Sequence, residues 1–203
     1  VEKIATPAAV IPISQHLSRN LDELLAHRVD FLSAYQDASY AARYKELVEK
    51  VRRTESEKVG ATKLAEAVAR YYAKLMAYKD EYEVARLHSN PAFMQKIEGM
   101  FEGDYKVVFH MAPPLLNKPD PATGEAKKST FGPWMMRLLR LLAACRVVRG
   151  TAFAIFGRTE ERKTERGLIV QYAATVAQLL GRLTPATHAL AAETATVPAP
   201  LPR

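Results

Sequence analysis

Apolar and polar positions along this chain follow two different periods, and the switches between them mark its elements. Leu21, Leu25, Leu32 and Tyr35 keep one helical face apolar. Asn20 with Glu23 supplies an N-cap and capping-box pair just ahead of them. The spacing predicts one helix to about Arg53, then a polar turn over residues 54–60 that ends in Gly60. Next, Leu64, Val68, Tyr71, Leu75, Tyr78, Tyr82 and Ala85 alternate steps of four and three, a continuous stripe on a single helix. That helix stops at Asn90-Pro91, where Pro91 suits the first turn of a short third helix ending near Gly103.

The period then changes to two. Tyr105, Val107 and Phe109 alternate with Lys106, Val108 and His110, which predicts a strand closed by Met111-Ala112-Pro113-Pro114. A loop dense in turn residues follows through Gly124. A lone strand leaves its backbone groups unpaired, so residues 125–130 are the natural return strand. Pro133 opens a strongly apolar fourth helix (Trp134, Met135, Leu138, Leu139, Leu141, Leu142) that stops at Gly150. Thr159 caps a last helix with Glu160 and Glu161 in its first turn, running to Leu180-Gly181. The fold class that follows is mainly α, a multi-helix antiparallel bundle-like domain with one small β-hairpin or strand insertion. Residues 1–19 read as a Pro-punctuated linker from a preceding domain, 20–182 as the helical domain, and the Ala/Pro/Thr-rich 183–203 as a disordered tail.

Composition narrows the function classes. With 48% hydrophobic and 25% charged residues, the chain reads as globular rather than disordered. A single cysteine, Cys145, leaves no intrachain disulfide and no Cys-rich zinc or iron–sulfur site, and cytoplasm is the default compartment. No run reaches the roughly 20 apolar residues of a membrane helix. A net charge of +7 favours anionic partners: phosphorylated cofactors, nucleic acid or an acidic protein face.

Candidate chemistry is sparse. No phosphate loop, dinucleotide fingerprint, zinc-protease motif or nucleophile elbow occurs. The five histidines lack metal-ligand spacing. Cys145, in Ala143-Ala144-Cys145 on a Leu-rich helix, reads as core packing rather than a nucleophile. Lys79-Asp80-Glu81-Tyr82-Glu83 gathers carboxylates that can serve acid–base chemistry if burial separates their pKa values. A solvated helix face with local ion pairs is the plainer reading. Against it, Tyr78 lies on the apolar stripe and Arg86 can pair with Glu83, which suits a buried polar network or a docking surface. His110, at the strand end, is a candidate acid–base group, with a structural hydrogen bond as the simpler role. Arg137, Arg140, Arg158 and Arg162 are the candidate anion contacts of a basic C-terminal half. Trp134, Phe153 and Phe156 lie close by in sequence and read as core.

Five ordered blocks carry a resemblance. They are Ala34-Tyr35-Gln36-Asp37 through Tyr44, Lys74 through Leu87, Phe101-Glu102-Gly103-Asp104-Tyr105 with Phe109 through Leu116, Phe131-Gly132-Pro133-Trp134-Met135, and Arg149-Gly150-Thr151 with Phe156-Gly157 and Glu160 to Arg166. Over roughly residues 21–182 the chain resembles the C-terminal domain of fused indolepyruvate (2-oxoacid) ferredoxin oxidoreductases. The start at Val1 and the Pro-rich approach suit an excised terminal domain. The resemblance implies a parent that oxidatively decarboxylates aryl 2-oxoacids to acyl-CoA. That parent uses thiamine diphosphate, Mg, iron–sulfur clusters and coenzyme A, passes electrons to ferredoxin, and is a homo-oligomer. In the family the cofactor motifs lie in preceding domains, so no cofactor and no catalytic residue is carried onto this chain. Its expected partners are the catalytic domains of the same polypeptide, with no membrane. The alternative is a basic helical module that binds an anion or nucleic acid, and the lack of a recognised reading motif counts against nucleic acid.

Overall fold

The computed structural model describes residues 20–101, 103–112, 128–149, 151, 154, 156 and 159–196. Among them the chain is mainly α, with one two-stranded sheet. The helices are α1 (Leu21–Tyr35), α2 (Ala38–Val59), α3 (Lys63–Met76), α4 (Glu81–His88), α5 (Pro91–Glu98), α6 (Met135–Ala144), α7 (Glu160–Gly181) and α8 (His188–Thr196). Strands β1 (Phe109–Met111) and β2 (Ser129–Phe131) pair antiparallel with Phe109 opposite Phe131. The linker expected over residues 1–19 lies outside the described residues, as does the turn-rich loop through Gly124. The described residues divide into two compact units, one built from residues 81–145 and the other from 20–80 with 146–196.

In the larger unit, Asn20 caps α1 by accepting the Glu23 N–H at 2.8 Å. The one helix expected to Arg53 is two. Gln36 leaves helical geometry (φ −132°, ψ −77°), and the Asp37 carboxylate accepts the Tyr40 N–H at 2.7 Å to start α2. A carboxylate there also suits the positive end of the new helix. The turn expected over 54–60 is instead the last turns of α2, because Glu55 faces the core rather than solvent. Gly60 then ends the helix at φ 73°, a left-handed conformation where a Cβ is strained.

The long second helix is also divided. It breaks after Met76, where Ala77 adopts φ −99°, ψ 43°, and helix resumes at Glu81. Two carbonyls around the break are satisfied from α1 and α2: Tyr40 Oη donates to the Met76 oxygen and Tyr35 Oη to that of Tyr78. The buried face of α3 is Leu64, Ala65, Val68, Ala69, Tyr72 and Met76, so Tyr71 and Leu75 of the expected stripe are half-buried at its edge. Tyr44, Tyr72 and Tyr172 stack in series, centroids 6.1 and 5.9 Å apart, joining α2, α3 and α7.

The tail expected to be disordered contains α8. Ala191, Ala192 and Ala195 are buried, and the helix packs on α3. Their small side chains let the two backbones approach closely. Tyr172 Oη donates to the Ala195 carbonyl at 2.8 Å. Helix α7 follows the sequence expectation, with Thr159 Oγ1 accepting the Arg162 N–H.

The smaller unit sets α4 against α6 and the hairpin around Ala85, Phe109, Met135, Leu139 and Ala143. Asn90 Oδ1 accepts the Ala92 N–H to start α5, whose end moves from the expected Gly103 to Glu98. The strand expected from Tyr105 is confined to Phe109–Met111, and its partner, Ser129–Phe131, overlaps only the end of the return strand expected over 125–130. Helix α6 ends at Ala144 and tightens into a 3₁₀ turn, Cys145–Val148, with Cys145 half-buried.

Candidate functional site

The densest charged cluster lies at the break between α3 and α4. Arg149 Nε and Nη2 donate to Asp80 Oδ2 and Oδ1 at 2.6 and 2.8 Å, a bidentate pair in which each side chain is 4% exposed. Nη1 donates to the Tyr35 carbonyl at 2.6 Å, and the guanidinium carbon lies 3.7 Å from the Tyr35 ring centroid. Tyr78 meets Tyr35 edge-on at 6.2 Å, and the Arg162 guanidinium lies 5.8 Å from the Tyr78 centroid. Burial pulls the Arg149 pKa down, but hydrogen bonding to Asp80 and the surrounding negative potential carry it above its ordinary value. Burial drives the Tyr35 phenol far above its ordinary pKa, with Arg149 offsetting only part of the rise. The Tyr78 phenol is raised by burial as well. These phenols stay protonated, and both Asp80 oxygens are engaged by a permanent cation. The cluster ties the chain break to α1 and to Arg149.

The remaining candidates scatter. Lys79 is exposed and Glu81 half-buried. Asp80 and Glu83 are buried, so the solvated-face reading does not describe these two carboxylates, and Asp80 belongs to a buried network. Glu83 accepts two hydrogen bonds from Arg86, 2.8 and 2.7 Å, within α4. His110 is exposed and shares a 3.1 Å hydrogen bond with Thr130 across the hairpin. Arg162 pairs with Glu165 at 2.6 Å. Arg158 and Phe153 lie outside the described residues. Tyr78, Asp80 and Arg162 therefore belong to the larger unit, and Glu81, Glu83, Arg86, His110, Arg137 and Arg140 to the smaller one.

Sequence reasoning missed a second buried cluster. Glu55, fully buried, accepts the N–H groups of Leu64 and Ala65 at 2.8 Å each, capping α3 from outside the helix. Its Oε1 also lies 2.7 Å from His188 Nε2 at the start of α8. Nothing local marks Glu55, because its partners are brought in by the fold.

The smaller unit presents an apolar surface. On α6, Met135, Leu139 and Ala143 face inward at intervals of four. The outward residues Trp134, Leu138 and Leu141 are 59%, 47% and 64% exposed, which corrects the core reading of Trp134. Arg137 and Arg140, both exposed, alternate with them. Helix α5 buries none of its residues, and Phe93 on it is exposed too. A helix apolar on more than one side has more such surface than its own unit covers, and exposed apolar patches mark interaction sites.

Among the described residues no group of three or more His, Cys, Asp or Glu side chains could hold a metal ion. No described helix is long and apolar enough to cross a membrane. No curated protein and no solved structure matches the chain. The family of unknown function DUF6537 matches residues 21–201, nearly the whole length, and the chain belongs to it.

Proposed function

We propose that this member of the DUF6537 family is an accessory docking domain of a thiamine diphosphate-dependent 2-oxoacid ferredoxin oxidoreductase, acting in the cytoplasm. The observation that carries the docking half is the solvent-facing side of α6 and its N-cap, where Trp134, Leu138 and Leu141 are exposed alongside Arg137 and Arg140. Completing the burial of each half-exposed large side chain contributes on the order of 1 kcal/mol. The two arginines favour an acidic rim on the partner and set its approach. The oxidoreductase half rests on the five ordered sequence blocks that resemble the C-terminal domain of indolepyruvate ferredoxin oxidoreductases.

On this reading the chain does no bond chemistry. Thiamine diphosphate, Mg, iron–sulfur clusters and coenzyme A belong to the catalytic domains of the same polypeptide, and ferredoxin takes the electrons. The domain packs on those catalytic domains, shaping substrate or coenzyme A access or the subunit interface of a homo-oligomer. The engaged state of Asp80, Glu83 and Arg162 supports this, since each is held by a neighbouring side chain. Deleting the domain from the parent enzyme tests it: assembly, KM or turnover changes if the domain docks. A parent that assembles and turns over unchanged without it overturns the reading.

The exposed Arg137 and Arg140 favour one alternative, a basic helical module that binds an anion or nucleic acid. It predicts a salt-sensitive mobility shift with DNA or RNA that Arg137→Gln/Arg140→Gln removes. No shift at low salt eliminates the nucleic-acid form.

A further inference from the structure

A groove runs between α1 and α3 in the larger unit, on residues that the docking proposal does not use. Its volume is about 480 Å³, inside the roughly 300–1,000 Å³ range of small-molecule sites. Arg28 and Phe31 line it from α1, one helical turn apart; Arg70, Tyr71 and Lys74 line it from α3 at turn spacing. Ala73 and Ala77 complete the lining, and their small side chains leave the space open.

The lining contains three cationic side chains and no carboxylate. Glu66 lies 3.9 Å from Arg70, with the two side chains 40% and 57% exposed, so that pair is loose and partly screened. The Arg28 Nε is buried without a hydrogen-bond partner. A buried guanidinium N–H with no acceptor is unfavourable, so the Arg28 charge is poorly compensated within the chain. Three clustered cations favour a multiply charged anion over a single carboxylate. Beside them, the half-buried rings of Phe31 and Tyr71 offer apolar walls suited to a flat group.

We propose that the groove between α1 and α3 binds a phosphorylated ligand with a planar ring, of the nucleoside diphosphate class. Arg28, Arg70 and Lys74 receive the phosphates, and Phe31 and Tyr71 receive the ring. The site is independent of the α6 surface, so either proposal can fail alone.

Calorimetry on the 203-residue chain tests it, with ADP, pyrophosphate and adenosine as probes at low salt. ADP is expected to bind with a Kd below about 1 mM, and pyrophosphate and adenosine each at least about tenfold more weakly. The affinity falls as salt rises. Arg70→Gln/Lys74→Gln alters two exposed side chains, so far-UV circular dichroism and melting stay unchanged while ADP affinity drops about tenfold or more. The α6 pair Arg137→Gln/Arg140→Gln leaves ADP binding intact. No heat with ADP at about 1 mM overturns the proposal. So does ADP binding that survives Arg70→Gln/Lys74→Gln, or pyrophosphate binding as tightly as ADP.

Discussion

Replacing Asp80 with Ala removes the carboxylate and leaves the Arg149 guanidinium buried, with the Tyr35 carbonyl and ring still against it. Two charge-assisted hydrogen bonds are lost, each contributing about 1.5–3 kcal/mol in a site this dry. Breaking one partner of a buried ion pair costs about 3–5 kcal/mol, most of it the uncompensated charge. A central figure of about 4 kcal/mol follows, a large fraction of the 5–15 kcal/mol that holds a typical domain together. For a chain of this size that lowers Tm by about 8–16 °C. Urea denaturation followed by circular dichroism measures it. Asp80→Leu/Arg149→Met should recover much of the loss, because an apolar pair leaves no stranded charge. The pair Lys163–Glu160 is the control: its 2.7 Å separation is nearly the same, but its side chains are 57% and 88% exposed. Its removal should shift stability by less than about 0.5 kcal/mol. An Asp80→Ala cost below about 1 kcal/mol, or Asp80 and Arg149 effects that simply add, would refute the reasoning.

Three further outcomes are expected. Glu55→Ala leaves the Leu64 and Ala65 N–H groups without their acceptor and costs about 3 kcal/mol; hydrogen exchange in α8 should quicken because His188 loses its partner, and unchanged α8 protection would contradict this. Tyr35, Tyr40, Tyr44 and Tyr172 have native pKa values raised by burial, so their contribution is complete below the unfolded value near 10 and is lost as pH rises toward their native values. Each makes stability fall by up to about 1.4 kcal/mol per pH unit in that window, and their absorbance change near 295 nm should coincide with unfolding; smooth titration of all nine tyrosines near pH 10 in folded protein would contradict it. Leu138→Glu/Leu141→Glu should change stability by less than about 0.5 kcal/mol, since both side chains face solvent; a large loss of Tm would mean that they pack within the chain.

Local signals in the sequence located the caps and the hairpin. Asn20, Asn90-Pro91 and Thr159 each start a helix because their side chains satisfy nearby N–H groups, a property of a few adjacent residues. The breaks at Gln36 and Ala77 were not legible, because no Gly or Pro marks either, and at the second the apolar spacing runs straight through. The second break is held by Tyr35, 43 positions before Tyr78, and by Arg149, 69 positions after Asp80. The stripe did bring Tyr78 and the adjacent charges to notice as a possible buried network, but nothing in it named Arg149 as the partner. Helix α8 escaped notice because its buried face is alanine, and its N-terminal anchor to Glu55 spans 133 positions. Trp134 was misread for the opposite reason: α6 is apolar on several sides, and periodicity alone does not say which side is left outside.

Sedimentation of the chain with the catalytic portion of a 2-oxoacid ferredoxin oxidoreductase made without this domain tests the docking account most directly. The account predicts a stoichiometric complex that Leu138→Glu/Leu141→Glu abolishes while the variant stays folded. Two species that sediment independently, or a complex indifferent to the charged substitutions on α6, would contradict it.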